Sequence, residues 1–313
     1  MAQNGKQKGK WSSSNLGRMY WWRPFSGSSD LEAMQALVAA SWAVEKRRVG
    51  VHIGDLDWWT AHPREEPHVV SLWHEGDELV GWAWYSAPSE LDVHIDSGHR
   101  KGQLYERILD WFERSVSERP APPKELVAFV FEPDRALTEL VEARRYTAAR
   151  PYFVHNLRSL REPLDRPQLP KGFVVRHVQG PEDIDRRVEV HRSAFAPSRM
   201  TPERYLRVMA SAHYRADLDW VTIAPDGTFA SFCNIWLDPT NHVGLLEPVG
   251  TADGYRRMNL GRAVCLAAMS AAAREGAEAA VVLSGVANAA SLGLYRSLGF
   301  EEFGRTYGFT RTL

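Results

Sequence analysis

Leu246-Glu247-Pro248-Val249-Gly250-Thr251, followed by Ala252-Asp253-Gly254-Tyr255 and Arg256-Arg257-Met258-Asn259-Leu260-Gly261-Arg262, is the stretch whose residue types and spacing suit anion chemistry. An apolar strand pattern runs into a turn with three arginines, and a long alanine-rich helical pattern starts there. A helix N-terminus presents N–H groups with no partner inside the helix, together with the positive end of the dipole, so it favours a phosphate. Gly261 has no side chain to hold a phosphate away from the backbone. Asn259 tolerates the left-handed conformation better than most residues with a Cβ. Residues 256–262 therefore read as a pyrophosphate cradle; the plain alternative is a solvated basic turn.

The elements that must position this turn are legible on both sides of it. In the second half, residues 173–178 form a short strand, and Pro181-Glu182-Asp183 opens a helix reaching about residue 195. Thr201-Pro202-Glu203 starts another helix, with threonine as cap and proline in the first turn. Strands at 220–224 and 228–236 flank the turn Pro225-Asp226-Gly227. A strand at 243–251 leads to a helix over 256–275, closed by Gly276. A buried strand at 279–284, a helix over 288–298 and strands at 301–303 and 306–310 complete the half.

The first half repeats this order more loosely. It has a helix over 30–45, a hairpin of 68–74 and 78–85 around Glu75-Gly76-Asp77, and a strand at 91–95. A helix over 100–117, a strand at 126–131, a helix over 134–144 and a strand at 152–157 follow. Setting Arg100 on Arg256 and Tyr152 on Tyr307 gives offsets of 156 and 155 residues, which argues for an internal duplication. Arg161 to Gly172 (REPLDRPQLPKG) has the proline-rich, weakly apolar chemistry of a linker. The division expected is a flexible tail (1–10), a first domain (11–160), a linker (161–171) and a second domain (172–313).

Composition narrows the function classes. The chain has 313 residues, 44% apolar and 25% charged, as soluble globular proteins do. No window of eighteen consecutive apolar residues spans a bilayer, and the first residues lack the apolar stretch of a secretory signal. With 38 basic against 39 acidic residues the formal charge is -1, and no dense basic stripe is present to neutralise a nucleic acid. The expected setting is the cytoplasm, as a monomer or homodimer, with a small-molecule partner and neither nucleic acid nor membrane. Two cysteines, Cys233 and Cys265, are too few for a disulfide framework or a zinc site, and Cys265 reads as a core residue. His62, Glu65, Glu66 and His68 lack metal-ligand helix spacing, so no metal is expected. Ten of the twelve tryptophans lie in the first 111 residues. Most of the run Tyr20-Trp21-Trp22, Trp58-Trp59 and Trp82/Trp84 is assigned to core packing, with one or two left to line a cleft between the halves.

Two motifs together resemble the GNAT acyltransferase superfamily. Its cofactor pattern, Gln/Arg-x-x-Gly-x-Gly/Ala between a strand and a helix, is met by Arg256 and Gly261, with Asn259 in place of the first glycine. Asn288-Ala289-Ala290-Ser291-Leu292-Gly293-Leu294-Tyr295-Arg296-Ser297-Leu298-Gly299-Phe300 is similar to the second signature, Asn-x-x-Ala-x-x-x-Tyr-x-x-x-Gly-Phe, with Ser291 in place of alanine. The fold so implied is α/β, two tandem GNAT-like domains, each a mostly antiparallel twisted sheet flanked by helices. The resemblance covers about 170–313. In the first half, His99-Arg100-Lys101-Gly102-Gln103-Leu104 keeps one glycine but has leucine at the final small position, and Arg144-Arg145-Tyr146 lacks the second signature's preceding tyrosine. That copy is expected not to bind acyl-CoA.

The resemblance also implies roles. The backbone of Val249, Gly250 and Thr251 would hold the pantetheine arm of acetyl-CoA and orient its thioester. Arg256, Arg257, Met258, Asn259, Leu260, Gly261 and Arg262 would bind the pyrophosphate. Asn288 would cap its helix and contact the cofactor, with Ser291 beside it. Tyr295 would protonate the leaving thiolate, and Glu247 would take the proton of an attacking ammonium, with His242 as a weaker candidate. The implied reaction is transfer of an acetyl group to a primary amine of a small molecule. The alternatives are a non-catalytic acyl-CoA-binding regulator and an enzyme of the same fold with a longer acyl donor.

Overall fold

The computed structural model describes residues 18–45, 49–61, 68–100 and 103–313. In chain order the first half has β1 (Tyr20–Pro24), α1 (Ser28–Glu45), α2 (Ile53–Ala61), β2 (Val69–Glu75), β3 (Glu78–Ser86) and β4 (Glu90–Ile95). It continues with α3 (Leu104–Ser117), β5 (Glu125–Phe131), α4 (Arg135–Ala143) and β6 (Thr147–Ser159). The second half repeats the series as β7 (Val174–His177), α5 (Ile184–Ala194), α6 (Pro202–Met209), β8 (Asp219–Ile223), β9 (Phe229–Asp238) and β10 (Val243–Thr251). It closes with α7 (Leu260–Arg274), β11 (Ala279–Gly285), α8 (Ala289–Ser297) and β12 (Glu301–Thr312).

All these strands form one mixed sheet, in the order β1-β2-β3-β4-β5-β12-β6-β11-β10-β9-β8-β7. The order reads the same from either edge, except that each half ends on the other's last strand. β12 lies against β5 of the first half, β6 lies against β11 of the second, and the two pair with each other at the centre, Tyr307 opposite Pro151. The tandem GNAT-like architecture is therefore present with its terminal strands exchanged. The exchange joins the two expected sheets into one and makes each half incomplete without the other.

Apolar packing divides the same way. One cluster lies under α3 and α4 in the first half and another under α7 and α8 in the second. A third is shared, joining Met34, Val38, Leu56 and Trp82 to Ile184, Val188, Tyr205 and Trp236. Burial of such side chains contributes roughly 1.5–3 kcal/mol each, so the seam between the halves is part of the core.

Some elements differ from the sequence reading for identifiable reasons. The helix read as starting at Arg256 begins at Leu260, because Arg257 and Asn259 stand in the left-handed region at φ 62° and 64°. The last two strands are one, β12, broken only by shifts in its register with β6. α2 and β1 were not expected. α2 is short and buries Asp55 and Asp57, so it shows no polar face. The proline start of α6 is as read: Thr201 accepts the N–H of Arg204 at 3.3 Å. No helix among the described residues is long and apolar enough to cross a membrane.

Candidate active site

The site is set by where β10 leaves its neighbours. β10 and β11 run parallel and pair only from Val243 to Leu245. Beyond that they separate, so the β11-facing edge of β10 from Leu246 to Thr251 has no ladder partner in β11. On the other side, the register with β9 slips between Leu246 and Val249. Pro248 sits in this irregularity, where the missing N–H costs no ladder bond. A bulge of this kind re-aims a side chain, and Glu247 is the residue it carries. The Glu247 carbonyl accepts two side-chain bonds from β9, from Asn234 Nδ2 at 3.1 Å and Trp236 Nε1 at 2.7 Å. The bulge is thereby fixed.

At the end of β10 the turn brings the cradle residues together. Arg256, Arg257 and Asn259 are exposed, Met258 is half-buried and Leu260 anchors the turn in the core. The first i→i−4 bond of α7 is from Ala263 N–H to the Asn259 carbonyl, at 3.0 Å. The N–H groups of Leu260, Gly261 and Arg262 precede it and are not used by the helix. A Cβ at Gly261 would lie 3.0 Å from Thr251 Oγ1 and 3.6 Å from Leu294, so glycine lets the first turn of α7 close on the end of β10. Among the described residues Arg256 pairs only with Asp253, at 3.1 Å, and stays half-exposed. Arg262 is turned toward Asp165 at 2.6 Å and so ties the linker down. The residues present fit an acyl-CoA: a left-handed turn, unused N–H groups, a cradle that a Cβ would crowd and an open strand edge leading from it.

Tyr295 on α8 is buried in the same half with Cys265, Val264 and Leu246, and with Val249 packed against the cluster. Burial holds its phenol far above the usual range, and the nearby thiols and the Glu247 carboxyl push the same way. It is a neutral donor at any working pH. Asn288 caps α8 by accepting the Ser291 N–H at 3.1 Å, and Ser291 bonds Ser284 of β11, so both fasten α8 to the sheet. His242 lies at the opposite end of β10 from the cradle, where Nδ1 bonds the Gly276 carbonyl at 3.1 Å. It is a structural residue, and the weaker base candidate is withdrawn on that placement. Both cysteines are free and buried, Cys265 in the core as expected.

Glu247 faces a cavity of about 570 Å³ built mainly by the first half. Trp58, Trp59, Trp82 and Trp84 line it with Phe129 and Phe131, so more tryptophans border the cleft than the sequence suggested. Trp82 is fully buried, and its indole N–H has no partner among the described residues. Trp21 and Trp22 are instead exposed on β1, at the sheet edge. Asp55 of α2, which sequence reasoning missed, lines the same cavity beside Glu247, and the two carboxyls act on each other. Desolvation raises both carboxyls, Asp55 to about 6, where the Glu247 carboxyl and the His52 N–H partly offset it, and Glu247 well above the usual range, where the Asp55 charge adds to the rise. The legible signal was His52-Ile53-Gly54-Asp55. His52 Nδ1 accepts the Gly54 N–H at 3.1 Å, while Asp55 accepts the His52 N–H at 2.6 Å, a reciprocal helix start. Of the dismissed metal group, His62, Glu65 and Glu66 lie outside the described residues, and His68 Nδ1 sits 3.1 Å from Ser86 Oγ. No group of three potential metal ligands occurs among the described residues.

The first half's own cradle is filled. Both helices begin on a buried leucine, Leu104 and Leu260, so Tyr105 rather than Leu104 stands opposite Gly261. Tyr105 is buried and its hydroxyl bonds Asp134. Arg100, opposite Arg256, is turned inward to Glu45 at 2.5 Å and to the Ile95 carbonyl at 3.1 Å. Gln103, opposite Asn259, is right-handed at φ -69°.

Comparison with known proteins agrees with this geometry. Residues 186–300 match the model of the Acetyltransferase (GNAT) family. The chain is 27% identical over 275 residues to a mycothiol acetyltransferase of Rhodococcus erythropolis, covering 79% of this chain and 85% of that protein. It is 25% identical over 256 residues to a mycothiol acetyltransferase of Thermobispora bispora, covering 74% and 80%. A crystal structure of a GCN5-related N-acetyltransferase from Sphaerobacter thermophilus superposes with TM-score 0.66 at 18% identity, over 94% of this chain and 95% of that one. A tandem GNAT protein from the clavulanic acid biosynthesis pathway gives 0.68 at 14% identity, over 94% and 98%. Over residues 186–300 the chain is similar to the Acetyltransferase (GNAT) family, and over most of its length its fold is that of tandem GNAT proteins. It is an acyltransferase.

Proposed function

We propose that the protein moves the acetyl group of acetyl-CoA to a primary amine of a small molecule by direct attack. One observation carries this reading: the open edge of β10 ends on a carboxyl, Glu247, that faces an aromatic cavity of about 570 Å³. That volume is within the range of small-molecule sites, roughly 300–1,000 Å³. The turn 256–262 would hold the pyrophosphate, and the edge at Val249, Gly250 and Thr251 the pantetheine arm. When bound, acetyl-CoA supplies an activated thioester. Glu247 takes a proton from the acceptor's ammonium, which frees the lone pair to form the C–N bond. Tyr295, kept neutral by burial, donates its proton to the sulfur as the C–S bond breaks, and the proton lost by the new amide nitrogen restores the balance.

The aromatic wall suits the body of an organic amine, and the relatives' name adds amine precursors of thiols to the acceptors worth testing. The test is coenzyme A thiol release from acetyl-CoA across a panel of primary amines, run in parallel with longer acyl and aminoacyl thioesters. Turnover of at least one amine with acetyl-CoA as preferred donor is expected. Preference for a longer donor, or no release with any pair, overturns the reading.

A further inference from the structure

α2 belongs to the first half but is mounted on the second. Its first turn is pressed onto Trp236 of β9, where a Cβ at Gly54 would lie 2.3 Å from the Trp236 Cβ. His52 Nε2 reaches the Val243 carbonyl of β10 at 3.3 Å, and Asp57 bonds His213 Nδ1 at 2.8 Å. Trp236 is itself wholly buried, and its indole N–H is the donor that holds the Glu247 carbonyl. One side chain therefore supports both the helix that bears Asp55 and the bulge that bears Glu247. The two carboxyls meet at the cavity wall because the backbone that carries each is held against the same tryptophan.

We propose that Asp55 is a positioning residue that shares a proton with Glu247, so that the base of the reaction is a carboxyl pair built from both halves of the chain. This rests on the reading of the acceptor as an amine. In its resting state the pair holds one proton and one negative charge, and an ammonium docks against that charge. The ammonium's proton passes to the pair, which becomes neutral, and the amine's lone pair forms the C–N bond. After the thiol leaves with the proton relayed through Tyr295, the pair returns one proton to solvent and regains its charge. A lone carboxylate in this apolar wall would carry the full desolvation cost of its charge; a shared proton lowers it.

Among the described residues no cation acts on either carboxyl of the pair. Just before α2 stands His52, held neutral by burial at about 4, and on it Asp57. His213 is raised by its bond to Asp57 and so is tied to a carboxylate of its own. Asp238 of β9 acts on His52 and His213. Tyr295 faces Glu247 from α8, beside Cys233 and Cys265. His155 of β6 lines the cavity and is held at about 4 by burial. Arg100 lines its far part, bound to Glu45.

The experiment is carboxyl ¹³C NMR of the full chain labelled at Asp and Glu, titrated in the wild type, Asp55→Asn and Glu247→Gln. Asparagine keeps an acceptor for the His52 N–H, so the helix start survives. In the wild type the two resonances are expected to titrate together, and Asp55→Asn should move the Glu247 midpoint down by about one pH unit or more. Glu247→Gln should move the Asp55 midpoint the other way, upward, because it removes the carboxyl proton that stabilises the Asp55 charge, so either variant alone suffices. A Glu247 midpoint unchanged in Asp55→Asn, or an Asp55 midpoint unchanged in Glu247→Gln, overturns the proposal and leaves Asp55 a helix cap. The titration needs no acceptor. If no amine is turned over while the midpoints move, the amine reading fails and the pair stands.

Discussion

The two halves of this chain carry the same ten elements in the same order, yet their helix-start turns have opposite fates. In the second half the turn is left-handed at Asn259, bare at Gly261 and fringed by an arginine that faces water. In the first, the corresponding positions are right-handed Gln103, buried Tyr105 and an Arg100 drawn inward to Glu45. The strands differ too, since β4 pairs with β3 in unbroken register while β10 slips against β9 at Glu247. In the first half the equivalent turn is packed, and the sheet face is an aromatic cavity wall. That half contributes Asp55 and the tryptophans, and the second half contributes Glu247 and the cradle. On the proposed reading, the two halves form a single site that needs both.

The largest expected effect is on chemistry. Glu247→Gln should lower kcat about 10²–10⁴-fold, the usual contribution of a positioned base, while acetyl-CoA binding measured by calorimetry stays within about threefold. Next comes the exchange of the two cradle residues. Gly261→Tyr, which copies the first half into the second, should weaken acetyl-CoA binding by about 100-fold or more, or 2.7 kcal/mol. Tyr105→Gly should create no second site, because Arg100 remains bound to Glu45. Arg256→Glu should cost about tenfold in acetyl-CoA affinity. Arg100→Glu should leave that affinity unchanged and destabilise the fold in urea, since it sets a second acid beside Glu45.

The smallest effect concerns pH. Asp55 is held above its ordinary value, so the folded state binds its proton more tightly than the unfolded chain does. Its contribution to stability is complete below the unfolded carboxyl value and is lost as pH rises toward about 6. Asp55→Asn should therefore be more stable than the wild type at pH 8, by roughly 1–3 kcal/mol in urea unfolding. The difference should vanish near pH 4. A constant difference across that range would mean that Asp55 does not titrate with folding.

Local chemistry explains what the sequence made legible. Asn259 and Gly261 signal a left-handed turn and a close approach by residue type alone, and the landmarks Tyr152 and Tyr307 fall on β6 and β12, which meet at the centre of the sheet. Strand exchange left no local trace. β6 and β12 carry the same strand pattern whichever half they complete, so the pattern names the element and not its neighbour. The loop's glycine points to Leu104 as the obstacle in the silent cradle, but the helix starts put Tyr105 at that position. Asp55 was missed because its short helix buries its acids against the other half, which erases the amphipathic period.

Calorimetric titration of the intact protein with acetyl-CoA tests the central contrast most directly, in the wild type, Gly261→Tyr and Arg100→Glu. One site per chain, lost in Gly261→Tyr and kept in Arg100→Glu, is the expected result. Two sites per chain, or one site that survives Gly261→Tyr and disappears with Arg100→Glu, would contradict the assignment of the working cradle to residues 256–262.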